Sequence, residues 1–142
     1  MRSHRSEIAD QLGSYETFAG CALQQLEELA AVSDQFGVPP QWSFLQQGTP
    51  GHEMFVITEG AGRVYRGRTP IAELGPGDVV GEMAFFGNGQ REATVSSVSR
   101  FRGVRINYAQ LGAVLRRRPQ LLAVFRDVYT ARRTVDGLWH DA

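Results

Sequence analysis

The chain contains no lysine. All fifteen basic residues are arginine, and fifteen acidic residues balance them to a formal net charge of zero. A Walker-type phosphate lysine, a Schiff-base lysine and a lysine general base are therefore excluded. Zero net charge also leaves no overall pull toward DNA or an anionic surface. Cys21 is the one cysteine, which rules out an internal disulfide and a cysteine metal cluster. Its neighbours Ala22 and Leu23 point to a buried thiol. No apolar run approaches the ~20 residues of a membrane span, and residues 1–7 have no apolar run behind them. No signal peptide is expected there, and a cytoplasmic soluble protein is expected. The three histidines, His4, His52 and His140, are scattered. His52-Glu53 is followed by Met54, so the second histidine of a β-rich metal site is missing and no metal is expected. No Ser/His/Asp order and no paired carboxylates suggest an enzyme.

The 142 residues suit one domain with a core of ordinary size. Residues 1–14 read as an N-terminal segment, a short helix or a loose tail, ahead of a single domain over 15–142. Tyr15 to Gly20 reads as a turn carrying an aromatic anchor. Ala22 to Val32 is expected to be helical, with Leu23, Leu26 and Ala30 on one face. From Asp34 the periodicity changes. Short β-rich runs lie between Pro/Gly turns: 35–39, 42–46, 54–58, 63–66, 69–74, 93–98 and 101–106. Such spacing predicts a sandwich or barrel over about 34–106. Asn107 is an N-cap candidate for a helix over 108–115, and Pro119 can open the next one. The C-terminal helices should span about 107–139. On the second, Leu121, Phe125, Val128, Arg132, Val135 and Trp139 form one stripe of five apolar residues and one arginine. An arginine on such a stripe needs a partner or a route to water.

The rest of the chain is organised around residues 75–98. Gly75-Pro76-Gly77-Asp78 is turn chemistry. Glu82 to Phe86 is long enough for about one helical turn, Gly87-Asn88-Gly89 stops it, and Arg91 follows. A helical turn between two strands leaves N–H groups that attract an anion. An arginine folding back over them completes a cradle for one phosphate. Glu82, at the head of the turn, would repel phosphate and suits a hydroxyl. A phosphate beside a hydroxyl implies a ribose phosphate.

Gly81-Glu82-Met83-Ala84 and Arg91-Glu92-Ala93-Thr94-Val95 together resemble the phosphate-binding cassette of cyclic nucleotide-binding domains, the domain type of catabolite activators, protein kinase A regulatory subunits and cyclic-nucleotide-gated channels. The resemblance extends over about 15–133. It implies an α+β fold: an eight-stranded β jelly-roll barrel with flanking N-terminal helices and two C-terminal helices. It implies cyclic AMP or cyclic GMP as ligand, cyclic AMP favoured, and no metal. Arg91 would fork onto the phosphate and Glu82 would accept the ribose 2′-OH. Gly81 would let backbone approach the sugar, while the Met83 and Ala84 N–H groups face the phosphate. Ala93 would be small because its strand passes the ligand. Arg132 would reach the base from the last helix, with a salt bridge to a nearby carboxylate as its other reading; Asp136 and Trp139 lie near the same end.

Glu92 departs from the family, which commonly has Ser, Thr or Ala there, and Gln90 replaces the usual proline. An ionised carboxylate cannot donate. At ~4 Å from a phosphate it costs about 1 kcal/mol in water and about 4 at an effective dielectric of 20. It must turn away, weaken binding, or accept from guanine N–H groups.

The leading expectation is a binding module that signals by repositioning its final helix to an unknown protein partner or regulated domain. A homodimer through the C-terminal helix is also compatible with the stripe. One alternative is a diverged fold acting as a protein-interaction module with weak or no nucleotide binding. Another is a regulatory fragment of a longer transcription factor, channel or enzyme. No direct nucleic-acid contact is expected, because a helix-turn-helix would need roughly 60–70 further residues.

Overall fold

In a computed structural model the residues described are 3–134. Val135 and Trp139, the end of the expected stripe, and Asp136 lie outside them.

The chain opens with helix α1 (His4–Gly13), capped by Ser3, whose hydroxyl accepts from the Ser6 N–H. Ile8, Ala9 and Leu12 bury one side of it. A 3₁₀ turn, Glu16–Phe18, supplies the anchor, with Phe18 fully buried. Helix α2 (Leu23–Ala31) buries Leu26, Leu29 and Ala30. Leu23 does not join that face; it is 53% exposed. The 3.6-residue period allowed either set, and the sheet beneath selects Leu29. Cys21 is only partly buried, and burial pushes its thiol up.

Eight strands follow: β1 (Ser33–Val38), β2 (Ser43–Leu45), β3 (Glu53–Glu59), β4 (Gly62–Arg66), β5 (Thr69–Leu74), β6 (Val79–Val80), β7 (Thr94–Ser97) and β8 (Phe101–Asn107). They form two four-stranded antiparallel sheets, ordered β1-β8-β3-β6 and β2-β7-β4-β5. This is a jelly roll of two facing sheets rather than a closed barrel. Between them pack Leu45, Phe55, Ile57, Val64, Val80, Val95 and Phe101. Phe36 and Phe44 meet Phe55 edge-on at centroid distances of 4.9 and 5.5 Å, a favoured geometry for aromatic pairs.

The outer face of the first sheet carries a second core. Met54, Val56, Val104 and Ile106 pack against α1, α2 and the C-terminal helices. Because both faces of β3 are covered, its Met54-Phe55-Val56-Ile57 run is buried throughout instead of alternating. Between β6 and β7 lies the one-turn helix α3 (Glu82–Phe86). Asn107 caps α4 (Tyr108–Arg117), accepting from the Gln110 N–H at 2.9 Å. Helix α5 (Pro119–Thr134) begins one residue later. Its root is fixed by fully buried Leu121 and Phe125, the latter edge-on to Phe18 at 5.8 Å. The junction is held by Glu28 of α2, which pairs with Arg117 at 3.4 Å and with Arg118.

Candidate ligand cradle

Gly81 joins β6 to α3 with φ +93°, a conformation that glycine adopts without strain. A Cβ there would also lie 2.7 Å from Arg91 Nη1 and 2.8 Å from the Glu53 carbonyl oxygen. The glycine thus fits both the turn and the arginine behind it.

Arg91 is held at its backbone first. Its N–H donates to the Thr49 carbonyl at 2.8 Å, and its own carbonyl accepts from the Gly48 N–H at 2.9 Å. The side chain then runs inward and is 8% exposed. Nη2 donates to the Glu53 carbonyl at 2.8 Å; Nη1 donates to the Tyr108 hydroxyl at 3.0 Å and to the Gly81 carbonyl at 3.4 Å. The Tyr108 hydroxyl in turn donates to the Gly81 carbonyl. Burial pushes the Tyr108 phenol up to about 12, so it stays protonated. A guanidinium has five N–H donors, and these bonds use three. Two donors on the Nε–Nη2 edge have no acceptor among the described residues.

Glu82 is fully buried at the head of α3, and its Oε1 is paired with Arg132 of α5, whose side chain is 12% exposed. Burial pushes the Glu82 carboxyl up, opposed chiefly by the Arg132 charge. Its second oxygen, Oε2, is buried without a hydrogen bond among the described residues. Arg132 is thus joined to the helical turn itself, which is its salt-bridge reading. Farther along the same contact, Phe86 packs against Tyr129 at 5.4 Å, and Arg126 lies 6.0 Å above the Phe86 ring.

Gly81, Met83, Ala84, Arg91, Glu92 and Ala93, with Leu45 and Val95, line one cavity of about 20 Å³. That is room for roughly one water. Met83, Ala84 and Ala93 are buried and Glu92 is half-buried. Of the expected residues, all but Glu82 and Arg132 line this cavity, and those two close on each other at its side. On the outer surface Arg91 also borders two open hollows of about 280 Å³ each. Sequence reasoning missed Tyr108, Gly51 and the Glu53 carbonyl. A Cβ on Gly51 would lie 2.8 Å from Ala84 Cβ, 3.0 Å from the Tyr108 hydroxyl and 3.1 Å from Arg91 Cζ. None carries a local signal; they matter only because folding brings β3, α3 and α4 together. Among the described residues no group of three or more His, Cys, Asp or Glu could hold a metal, and no helix is long and apolar enough to cross a membrane.

Two facing antiparallel sheets, a single helical turn and an inward arginine define a jelly-roll domain with C-terminal helices. The sequence profile of the cyclic nucleotide-binding domain matches residues 38–118, more than half of the chain, and the chain belongs to that family. It is 34% identical over 87 residues to a cyclic nucleotide-gated potassium channel of Mesorhizobium japonicum, covering 61% of this chain and 24% of the channel. The chain therefore spans about a quarter of that relative's length. Its fold is similar to that of cAMP-bound PfPKA-R (TM-score 0.82, 18% identity, 97% of this chain and 48% of the other). It is also similar to the catabolite activator protein of Thermus thermophilus (TM-score 0.74, 24% identity, 82% and 57%).

Proposed function

We propose that this chain binds a cyclic nucleotide at the cradle, cyclic AMP in preference to cyclic GMP, and signals by repositioning α5. The observation that carries this reading is a pair of unfilled groups on either side of the α3 head. Arg91 keeps an edge of two N–H donors, and Glu82 keeps one buried acceptor oxygen. A cyclic phosphodiester accepts from the first in a two-pronged fork. The ribose 2′-OH donates to the second, relieving an uncompensated buried oxygen.

The ribose hydroxyl on Oε2 and Arg132 on Oε1 then share one carboxylate, so the ligand becomes part of the contact that fastens α5 to α3. Such a ligand favours one α5 position over another, which a signal requires. The likeness to cAMP-bound PfPKA-R supports cyclic AMP, whereas a Glu92 that accepts from guanine N–H groups would reverse the preference. The inward guanidinium and the buried carboxylate support a binding role for the site. Residues 15–142 would act as the single receptor domain, led by residues 1–14, and a protein partner or attached domain would read α5.

A second reading, an interaction module with weak or no nucleotide binding, is favoured by the 20 Å³ cavity. Amide hydrogen exchange with saturating cyclic AMP and cyclic GMP separates the two. Increased protection across 81–95 together with a change in 119–134 supports the receptor. A change confined to 81–95 removes the signal but keeps the ligand, and no change with either nucleotide favours the interaction module.

A further inference from the structure

We infer that Tyr108 is a positioning residue of the anion site, holding one end of the Arg91 guanidinium so that the opposite edge is presented to phosphate. The inference rests on the cyclic-nucleotide reading above. Its basis is the bonding of a single hydroxyl. That hydroxyl accepts from Arg91 Nη1 at 3.0 Å and donates to the Gly81 carbonyl. The Gly81 carbonyl also accepts from Nη1. Three polar groups from β7's approach, the α3 cap and the α4 start thus close a triangle around Nη1. Both N–H groups of Nη1 are then engaged, and Nη2 is fixed by the Glu53 carbonyl. The guanidinium is tied at both Nη1 and Nη2, and the donors left over are one on Nε and one on Nη2.

The ring of Tyr108 is itself fixed. It stands edge-on to Phe85 at 5.1 Å, and Arg91 Cζ lies 5.8 Å from its centroid. Gly51 presses the same junction from the other side, since a Cβ there would meet Ala84, Tyr108 and Arg91 together. A long side chain held at both ends loses little freedom when the ligand arrives. Without the hydroxyl, Nη1 keeps only the longer 3.4 Å contact and the edge swings away from register.

The test uses Tyr108→Phe, which keeps the ring and removes only the hydroxyl, with Gly51→Ala as a second disturbance of the same junction. Cyclic AMP affinity is expected to fall about tenfold in each, the size of one hydrogen bond to a charged group. The effect should vanish in an Arg91→Leu background, because Tyr108 acts only through Arg91; a purely structural role would add instead. Independently of any nucleotide, the Arg91 side-chain N–H resonances, identified by their loss in Arg91→Leu, should be distinct in the wild type and averaged by rotation in Tyr108→Phe. Wild-type affinity together with unchanged Arg91 resonances in Tyr108→Phe overturns the inference, as does an additive double variant. If the wild type binds neither nucleotide, the functional reading fails while the resonances still decide the role of Tyr108: averaging supports it and no change overturns it.

Discussion

At the scale of single residues, the α3 turn joins a carboxylate and a guanidinium that have little access to water. Glu82 is fully buried, and Arg132 nearly so. A buried pair of this kind adds little net stability, yet breaking it from one side is costly, about 3–5 kcal/mol. In Arg132→Met, burial acts on Glu82 without the opposing charge, and its carboxyl rises further. A raised carboxyl holds its proton more readily in the folded chain than in the unfolded one. Its contribution to stability is full below the ordinary carboxylate range and is lost as pH climbs through the folded value. Arg132→Met should therefore lose about 3–5 kcal/mol at pH 7 and clearly less near pH 4, measured by urea unfolding at both. A loss that does not vary with pH would mean that Glu82 is not the group left uncompensated. Glu92 was legible as the family departure, because a carboxylate next to a phosphate-type arginine is chemically conspicuous. Tyr108 was not legible. Nothing in Asn107-Tyr108 indicates that the start of α4 will lie against Gly81, 27 residues earlier in the chain.

At the scale of elements, α5 is two attachments on one helix. Its root is packed into the helical core by Leu121 and Phe125, while its far half meets α3 through Tyr129, Arg132 and the Phe86 ring. Phe125→Ala should cost about 3–5 kcal/mol in global stability, the usual range for emptying a buried phenylalanine site, read as a lowered urea midpoint with an unchanged slope. A cost under 1 kcal/mol would show that the root is not part of the core. Glu28 ties the α4–α5 junction to α2, and its carboxyl lies below the usual range because Arg118 hydrogen-bonds it. That support is present above the unfolded carboxylate value and is withdrawn as pH falls through the folded one. Elements with strong local chemistry were read well from sequence: β5 at Thr69–Leu74, α3 at Glu82–Phe86 and the Asn107 cap all stand where turn and cap residues put them. The buried face of α2 was misread at Leu23, because helical period fixes spacing and not which side finds a sheet.

At the scale of the whole molecule, one sheet serves two cores. Its inner face closes the jelly roll, and its outer face seats α1, α2 and the C-terminal helices. The two-residue β6 (Val79–Val80) is too short to show a pattern, but the other seven of the eight strands could be read from turn residues and short β-rich runs. The split into two sheets could not, since pairing such as β1 with β8 joins segments about 70 residues apart. The cradle sits at an end of that sheet: α3 follows β6 and meets the far half of α5. The central claim is that Arg91 and Glu82 grip a cyclic nucleotide there. Titration calorimetry of cyclic AMP into the wild type and into Arg91→Leu tests it most directly. The expected result is saturable heat from the wild type and roughly a hundredfold or greater loss in the variant, as expected from removing a charged fork. Equal binding by both proteins, or no heat from cyclic AMP or cyclic GMP with the wild type, would contradict it.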